Sequence, residues 1–313
     1  MSHFSRKAEK GVNALQSYLP CNIHFLEDLL PIRMEVGDRF KAYFSTTRLS
    51  QIFPDDRNLI QSEFHFFQRE QAMLIIIFAE SALETIPRSL WNHPSVKHNA
   101  NRRGKSPGFL LLDRSYHHSA MNALEGREKR GRPDIVHLTL LEALGSPLNK
   151  EGLLQVYVHT IGDRVIIVNP KARLPRNYNR FVGLLEQLFE HGRVPPEGPA
   201  LLELKNQTLS QLLNEIEPSY IVAFSRLGIP QTLQGLFSRF SSKEKFALII
   251  GCFPHGHFSQ TTIELANEIV CLDPETLEAW IVASMAICEY ARAISLAEKR
   301  LKSIGESEPP ATS

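Results

Sequence analysis

The chain has 313 residues, of which 43% are hydrophobic and 22% are charged, the ordinary balance of a globular protein. Its formal net charge is +1, so the total charge favours no class of partner. The longest apolar run, residues 72–79, is too short to span a bilayer, no secretory signal pattern opens the sequence, and the four cysteines show no paired spacing. These features exclude a membrane protein, a disulfide scaffold and a disordered chain, and they predict a cytoplasmic location.

Residues 1–72 show no sustained periodicity, and the pattern changes at Met73. From there, short apolar runs alternate with segments of helical periodicity. The predicted strands are residues 73–78, 109–112, 154–159, 165–168, 220–224, 246–250 and 269–272. Gly162 and Asp163 lie between two of these strands and are predicted to close a hairpin.

Helical periodicity fills the intervals between the strands. The predicted helices are residues 135–144, 179–189, 209–216 and 277 to about 301. The last is apolar almost all round in its first half, which predicts burial in a core or a subunit interface. Residues 302–313, with two prolines and small polar residues, are predicted to be disordered. The alternation of strands and helices predicts an α/β domain over residues 73–301.

Charge is segregated along the chain. Residues 88–132 contain ten Lys or Arg and three acids, a net +7, whereas residues 261–313 carry nine acids and four bases, a net −5. A basic segment of this kind is typical of a nucleic-acid site, because neutralising phosphates releases counterions. A solvated basic surface without a ligand is the alternative.

Two loops that contain glycine or proline follow predicted strands. Residues 251–256 read GCFPHG after one strand, and residues 272–277 read LDPETL before the last helix. Ligands of α/β sheets bind at the carboxyl ends of strands, and glycine lets backbone approach a ligand closely. The loops therefore predict a small-molecule pocket, with plain turn chemistry as the alternative.

The sequence patterns expected of a dinucleotide site and of a metal site are incomplete. No G-x-G-x-x-G pattern follows a strand, which disfavours an ordinary Rossmann dinucleotide site. Cys252, His255 and His257 could begin a metal site, but a structural zinc needs four ligands and no second pair is present. We therefore predict no metal.

The most informative polar cluster is Arg173, Arg176 and Arg180, with Tyr178 among them. Spacings of three and four place the arginines on one side of a helix start. Guanidinium groups bind phosphates and base edges bidentately, and a tyrosine ring offers a stacking surface. Surface salt bridging is the alternative interpretation.

Six ordered motifs resemble one family. They are LLDRSYHHSAM (111–121), RGRPDIVH (130–137), GSPLNKEG (145–152), RLPRNYNRF (173–181), GCFPHG (251–256) and LEAW (277–280). Together they resemble the archaeal small-subunit ribosomal RNA pseudouridine methyltransferases, whose eukaryotic relatives are called nucleolar essential protein or essential-for-mitotic-growth protein. The resemblance runs from Met73 to about Tyr290. Residues 1–72 lie outside it, and we expect an accessory extension there or a start codon assigned too early.

The resemblance implies an α/β fold of the SPOUT class, with a C-terminal trefoil knot that holds S-adenosylmethionine, and a homodimer. The cofactor contacts carried over by motif are Arg226, Gly251, Gly256, Leu272, Asp273, Pro274, Glu275, Thr276 and Leu277. Arg226 matches the motif less clearly, and the loop around Pro274 departs from the Ile-Tyr-Pro or Asn-Tyr-Pro usual in the family. The implied RNA contacts are Arg132, Asp134, Arg173, Arg176 and Arg180.

The implied reaction is methylation of N1 of a pseudouridine in small-subunit ribosomal RNA during ribosome biogenesis. Asp134 is the candidate to accept or orient the N1 proton. Two alternatives stay open at this stage. One is an RNA-binding ribosome-assembly factor whose main role is not catalytic, and the other is a SPOUT methyltransferase that acts on transfer RNA.

Overall fold

The computed structural model describes residues 74–239 and 245–305 of the chain. The predictions for residues 1–72 and for residues 306–313 lie outside these ranges. Within them, eight strands form one sheet in the order β4-β5-β3-β2-β1-β7-β6-β8. The strands are β1 (Leu74–Ser81), β2 (Leu154–Thr160), β3 (Arg164–Val168), β4 (Arg193–Val194), β5 (Leu202–Asn206), β6 (Tyr220–Pro230), β7 (Phe246–Gly251) and β8 (Glu268–Cys271).

The sheet has a parallel part and an antiparallel part. Strands β2, β1, β7, β6 and β8 pair with one another in parallel, whereas β3 pairs antiparallel with both β2 and β5, and β5 pairs antiparallel with β4. The central strand β1 is buried along its whole length, which explains its unbroken apolar sequence. The turn between β2 and β3 forms the predicted hairpin, and Asp163 adopts a left-handed conformation there, with φ +50°.

Helices cover both faces of the sheet. They are α1 (Pro94–Arg103), α2 (Arg114–Met121), α3 (Pro133–Gly145), α4 (Pro147–Lys150), α5 (Tyr178–His191), α6 (Leu209–Ile216), α7 (Leu233–Phe237), α8 (Gln260–Glu264), α9 (Ala279–Ala293) and α10 (Leu296–Gly305). Apolar residues of α3, α5 and α9 share one core with Leu74, Ile76 and Phe78 of β1. Helix α6 covers Ile75 and Ile77 on the opposite face. The prediction of an α/β fold is confirmed.

A helical insertion fills the chain between β1 and α3. It contains α1, α2 and short 3-10 turns, and it has its own apolar cluster, formed by Ile86, Leu90, Val96, Ala100, Leu110, Leu112, Ala120 and Met121. The prediction of a strand at residues 109–112 is wrong. Leu110 and Leu112 are buried in this cluster, and only an isolated bridge between Leu111 and Thr85 has strand pairing.

The long last helix predicted from residue 277 is two helices, α9 and α10. Ser295 has φ +51° at the break, and the turn lets Leu296 pack back onto the core. The tail predicted to be disordered from residue 302 is helical as far as Gly305, and glycine, a poor helix former, stands where the helix ends. No single helix in the described ranges is long and apolar enough to cross a membrane, and only the bent pair of α9 and residues 296–302, at 62°, passes that test together.

Candidate active site and nucleic-acid interface

Three loops converge on a cavity of about 300 Å³ at one edge of the sheet. Because β7, β6 and β8 are adjacent and parallel, their carboxyl ends meet at the same edge. The cavity is lined by residues after each of these strands and by the start of α9: Phe224, Ser225, Arg226, Ile250, Gly251, Phe253, Pro254, His255, Gly256, His257, Phe258, Leu272, Asp273, Glu275, Thr276, Leu277, Ala279 and Val282. This volume lies at the lower end of the range of small-molecule pockets.

The structure brings together all but one of the residues predicted to contact a cofactor. Arg226, Gly251, Gly256, Leu272, Asp273, Glu275, Thr276 and Leu277 line the cavity, whereas Pro274 is exposed and does not. Sequence reasoning missed the aromatic and histidine side chains beside the glycines, notably Phe253, His255 and Phe258. Phe253 and His255 stand inside the 251–256 loop, and that position was the signal that could have identified them; Phe258 follows the loop by two residues.

Strand β6 bulges where it passes the cavity. Phe224 and Ile229 both pair with Val270 of β8, so the residues between them leave the ladder. A Cβ atom on Gly228 would lie 2.6 Å from the backbone of Ile269, so only glycine permits this close passage. The bulge directs Arg226 to the cavity wall.

The glycine loop after β7 is packed by aromatic rings. A Cβ atom on Gly251 would lie 2.8 Å from the ring of Phe253, and Phe253 meets Phe258 edge to face at 5.6 Å. Gly256 has φ +99°, a conformation that favours glycine, and a Cβ atom there would lie 3.1 Å from Cε of Lys129. The loop therefore has little room for side chains at its two glycines.

One carboxylate anchors this loop. Glu80 is 7% exposed and has φ +50° at the end of β1. Its Oε1 accepts the backbone N–H of Ser259 at 2.7 Å, and its Oε2 accepts Lys129 Nζ at 2.7 Å. The Lys129 ammonium also lies 4.5 Å from the centroid of the Phe253 ring. Burial alone would raise the pKa of Glu80, but the hydrogen bonds from Lys129 and Ser259 outweigh it and lower the pKa.

Arg132 and Asp134 stand at the start of α3, which hydrogen bonds link to the loop after β7. Arg132 donates two hydrogen bonds to Asp134, Nε to Oδ1 at 2.8 Å and a terminal nitrogen to Oδ2 at 2.7 Å. The backbone N–H of Arg132 bonds Ala82, whose own N–H bonds the carbonyl of Cys252, directly after Gly251. Burial raises the pKa of the Cys252 thiol to about 12, and the nearby Asp134 charge adds to that rise.

The arginine segment is attached to the same helix. His137 of α3 donates a hydrogen bond from Nε2 to the Pro175 carbonyl at 2.7 Å and stacks on Phe181 with centroids 4.3 Å apart. Arg173, Arg176 and Arg180 are exposed and form no ion pair with any residue in the described ranges, which disfavours the salt-bridge interpretation. They are therefore available to a polyanion.

The ring of Tyr178 was predicted to offer a stacking surface, but in the structure Tyr178 is engaged within the fold. Its hydroxyl donates to Oδ2 of the buried Asp113 at 2.6 Å, and burial followed by that contact raises the pKa of Tyr178. Asp113 also caps α2 by accepting the backbone N–H of Ser115. Tyr178 thus connects the arginine segment to the helical insertion.

Ion pairs within the fold neutralise much of the positive charge of residues 88–132. The ion pairs are Arg103 and Lys105 with Glu186, Lys129 with Glu80, Arg130 with Glu84, and Arg132 with Asp134. These four carboxylates lie outside residues 88–132, so they reduce the segment's +7 to +3. Among the residues the structure describes, Arg88, Lys97, Arg102, Arg114 and Arg127 keep charges with no ion-pair partner.

No metal centre is evident at the cavity. Within residues 74–239 and 245–305, no three His, Cys, Asp or Glu side chains lie close enough together to hold a metal ion. Cys252 is fully buried, whereas His255 and His257 are exposed at the cavity.

The chain is similar to known proteins in both sequence and structure. The family model described as EMG1/NEP1 methyltransferase matches residues 76–291. The protein named ribosomal RNA small subunit methyltransferase Nep1 of Staphylothermus marinus is 47% identical over 213 residues, covering 68% of this chain and 92% of that protein. The protein of the same name from Thermococcus sibiricus is 45% identical, covering 70% and 97%. The crystal structure of Archaeoglobus fulgidus Nep1 bound to S-adenosylhomocysteine is 40% identical, with a TM-score of 0.63, and covers 72% of this chain and 99% of that one.

Proposed function

Because the chain belongs to the EMG1/NEP1 methyltransferase family, we propose that it transfers the methyl group of S-adenosylmethionine to N1 of a pseudouridine in small-subunit ribosomal RNA. One observation supports this above all: Arg132 and Asp134 stand at the start of a helix that is linked by hydrogen bonds both to the cavity loop after β7 and to the arginine segment. The charge of Arg132 interacts with that of Glu278, directly after the cavity loop, and Asp134 begins the helix that anchors the arginine segment. In this proposal the methyl donor lies in the cavity, the arginines hold the RNA, and the target base is positioned at Asp134 between them.

The cavity residues fit this cofactor. Phe253 and Leu277 offer apolar surface to an adenine ring, and the carboxylates of Asp273 and Glu275 complement a sulfonium and an amino group in charge. Side chains at Gly251 or Gly256 would fill the space beside the backbone. When bound, S-adenosylmethionine supplies a methyl group that the sulfonium already activates. The protein then has to position the two reactants and exclude water.

Asp134 is the proposed proton acceptor. Pseudouridine is joined to its ribose through carbon, so its N1 carries a hydrogen that must leave when the nitrogen is methylated. Arg132 holds both carboxylate oxygens of Asp134 and thereby fixes their direction, while each oxygen keeps a further lone pair for the N1 proton. The proton passes to Asp134, directly or through water.

The arginines are proposed to bind the RNA. Arg173, Arg176 and Arg180 would hold phosphates, and Arg132 would stabilise negative charge on the deprotonated base. The target base has to be flipped out or to lie in an open loop, because N1 of a base-paired pseudouridine faces the deep, narrow major groove of an RNA helix, which protein side chains do not enter.

Assembly and topology are part of the same proposal. We infer a SPOUT-type trefoil knot in the C-terminal half, a domain of residues 73–301, and a cytoplasmic homodimer. Support for a dimer comes from apolar side chains on two helices that pack together: Leu138 of α3 is 42% exposed, and Ile281 and Met285 of α9 are 43% and 41% exposed. Exposed apolar surface of this kind marks protein contacts.

The test is methyl transfer from labelled S-adenosylmethionine to two short RNAs that differ only by pseudouridine or uridine at one loop position. Transfer to the pseudouridine strand alone is expected. If the protein instead methylates a transfer RNA that contains no pseudouridine, the result would favour a methyltransferase that acts on transfer RNA. Tight binding of both RNAs without transfer would favour an assembly factor and would contradict the catalytic proposal.

A further inference from the structure

We propose that Tyr116 of α2 and Arg102 of α1 form a second RNA-contact surface, which stacks a base of the single strand that flanks the target nucleotide. We call this pair the stacking platform. The inference rests on the proposed function, since it takes RNA as the substrate. It adds a contact that neither the cavity nor the arginine segment provides.

The geometry of the platform is that of a base-stacking site. The Tyr116 side chain is 40% exposed, and the Arg102 guanidinium lies 5.0 Å from the centroid of its ring. Arg102 also donates to the side-chain oxygen of Asn99 at 3.2 Å, which restricts the guanidinium to this position. Aromatic rings and guanidinium planes are the surfaces on which proteins stack unpaired bases.

The charge around the platform favours a polyanion. Helices α1 and α2 contain no Asp or Glu, and Lys97, His98 and Arg102 are all exposed on α1. Within the described ranges Lys97 and Arg102 have no ion-pair partner, in contrast to the neighbouring Arg103 and Lys105. Helix α1 thus carries positive charge that the fold does not neutralise, and Arg102 places one of these charges at the exposed ring.

A protein partner fits this surface less well. The core of a protein interface is a contiguous apolar patch. Along α1 and α2, Tyr116 is the only large apolar side chain among those exposed, and polar or basic residues surround it. The two helices together present one exposed ring among basic and polar side chains and contain no acid, which is the composition of a nucleic-acid site.

The platform also lies next to the proposed substrate path. Asp113 receives the Tyr178 hydroxyl through its side chain, and its backbone carbonyl accepts the N–H of Tyr116 at 3.1 Å. Tyr178 begins α5, whose first turn carries Arg180. A strand that crosses the arginines can therefore continue onto Tyr116 without leaving the basic surface.

The experiment compares two RNAs of different length, each with the pseudouridine target in a loop. The long RNA carries an unpaired extension on both sides, and the short RNA ends at the loop. We expect Tyr116→Ala to weaken binding of the long RNA about tenfold, the effect of removing one stacked base, and to leave binding of the short RNA unchanged. Tyr116→Phe keeps the ring and should bind the long RNA like the unaltered protein.

Controls separate this inference from the proposed function. Lys205→Gln removes one charge on the opposite face of the sheet and should leave the ratio of long-RNA affinity to short-RNA affinity unchanged. Arg102→Gln should reduce that ratio. S-adenosylhomocysteine binding by calorimetry verifies that each variant is folded. If Tyr116→Ala binds the long RNA normally while Arg176→Ala weakens both RNAs, the stacking platform is refuted and the proposed function stands. If the unaltered protein neither binds nor methylates either RNA, the proposed function fails.

Discussion

Replacing Glu80 by glutamine is expected to destabilise the protein by about 2 kcal/mol, because it removes a charged hydrogen bond at the base of the glycine loop. The Glu80 and Lys129 side chains are only 10% and 19% exposed and lie 2.7 Å apart. Glutamine can still accept the Ser259 N–H, but its amide nitrogen would face the Lys129 ammonium. The cost is therefore close to that of one hydrogen bond to a charged group in a partly buried site.

Urea unfolding measures this cost directly. With a slope of about 2 kcal/mol/M, the midpoint should fall by about 1 M. A matched control is Lys205→Met, which breaks an ion pair whose side chains are 36% and 51% exposed and should cost less than about 1 kcal/mol. If Glu80→Gln is no more destabilising than this surface variant, the anchoring role of Glu80 is refuted.

The same pair predicts a pH dependence. Since the pKa of Glu80 is lowered in the folded protein from the ordinary value of 4.5, its contribution is fully present above pH 4.5. It is lost as the pH falls through the lower folded value. The stability difference between the unaltered protein and Glu80→Gln should therefore be constant near neutrality and shrink below pH 4.5.

Four further predictions concern the cavity and its surroundings. Asp134→Asn should reduce the rate of methyl transfer by about 100-fold or more while changing RNA affinity far less, and equal losses in both would argue against proton transfer. Arg176→Ala should lower the salt-dependence slope of RNA binding by about 0.7, and an unchanged slope would exclude a phosphate contact. Gly256→Ala should weaken S-adenosylhomocysteine binding about tenfold in calorimetry because of its φ of +99°, whereas Gly198→Ala, at φ +80° outside the cavity, should not. Met285→Glu should shift the protein toward monomer in sedimentation, since it puts a charge on the apolar face of α9.

Strands β1 and β7 in the parallel part of the sheet were predictable because they are buried on both faces. β1 and β7 appear as apolar runs, and the alternation with helices identifies the α/β class. β5, with the sequence LELKN, has no such signal, and it is a strand because β3 offers it a partner. β4 has only two residues, too few for any periodicity. Whether such segments form strands depends on pairing with a neighbouring strand, and the local sequence alone does not predict that pairing.

The sequence predicted which loops form the site, but it did not predict most of the side-chain contacts within the site. Glycine and proline after a buried strand located the cavity loops, because this position in an α/β sheet is where ligands bind. The anchoring of Lys129 by Glu80 joins residues 49 positions apart, and no local pattern connects them. For the same reason the count of basic residues overstated the free charge: Glu186, which neutralises Arg103 and Lys105, lies in a distant helix.

Helix α5 is fastened to the helical insertion at two places. At its start, the Tyr178 hydroxyl bonds Asp113, and two turns later Glu186, 1% exposed, binds both Arg103 and Lys105 at 2.7 and 2.8 Å. Two attachments eight residues apart oppose both rotation and sliding of the helix against the insertion. Arg180 on α5 and helices α1 and α2 are thus tied to one another, and an RNA that binds across them is expected to adjust its own conformation. Selectivity would then come from how readily a given RNA opens, a property of the loop in which the target nucleotide lies.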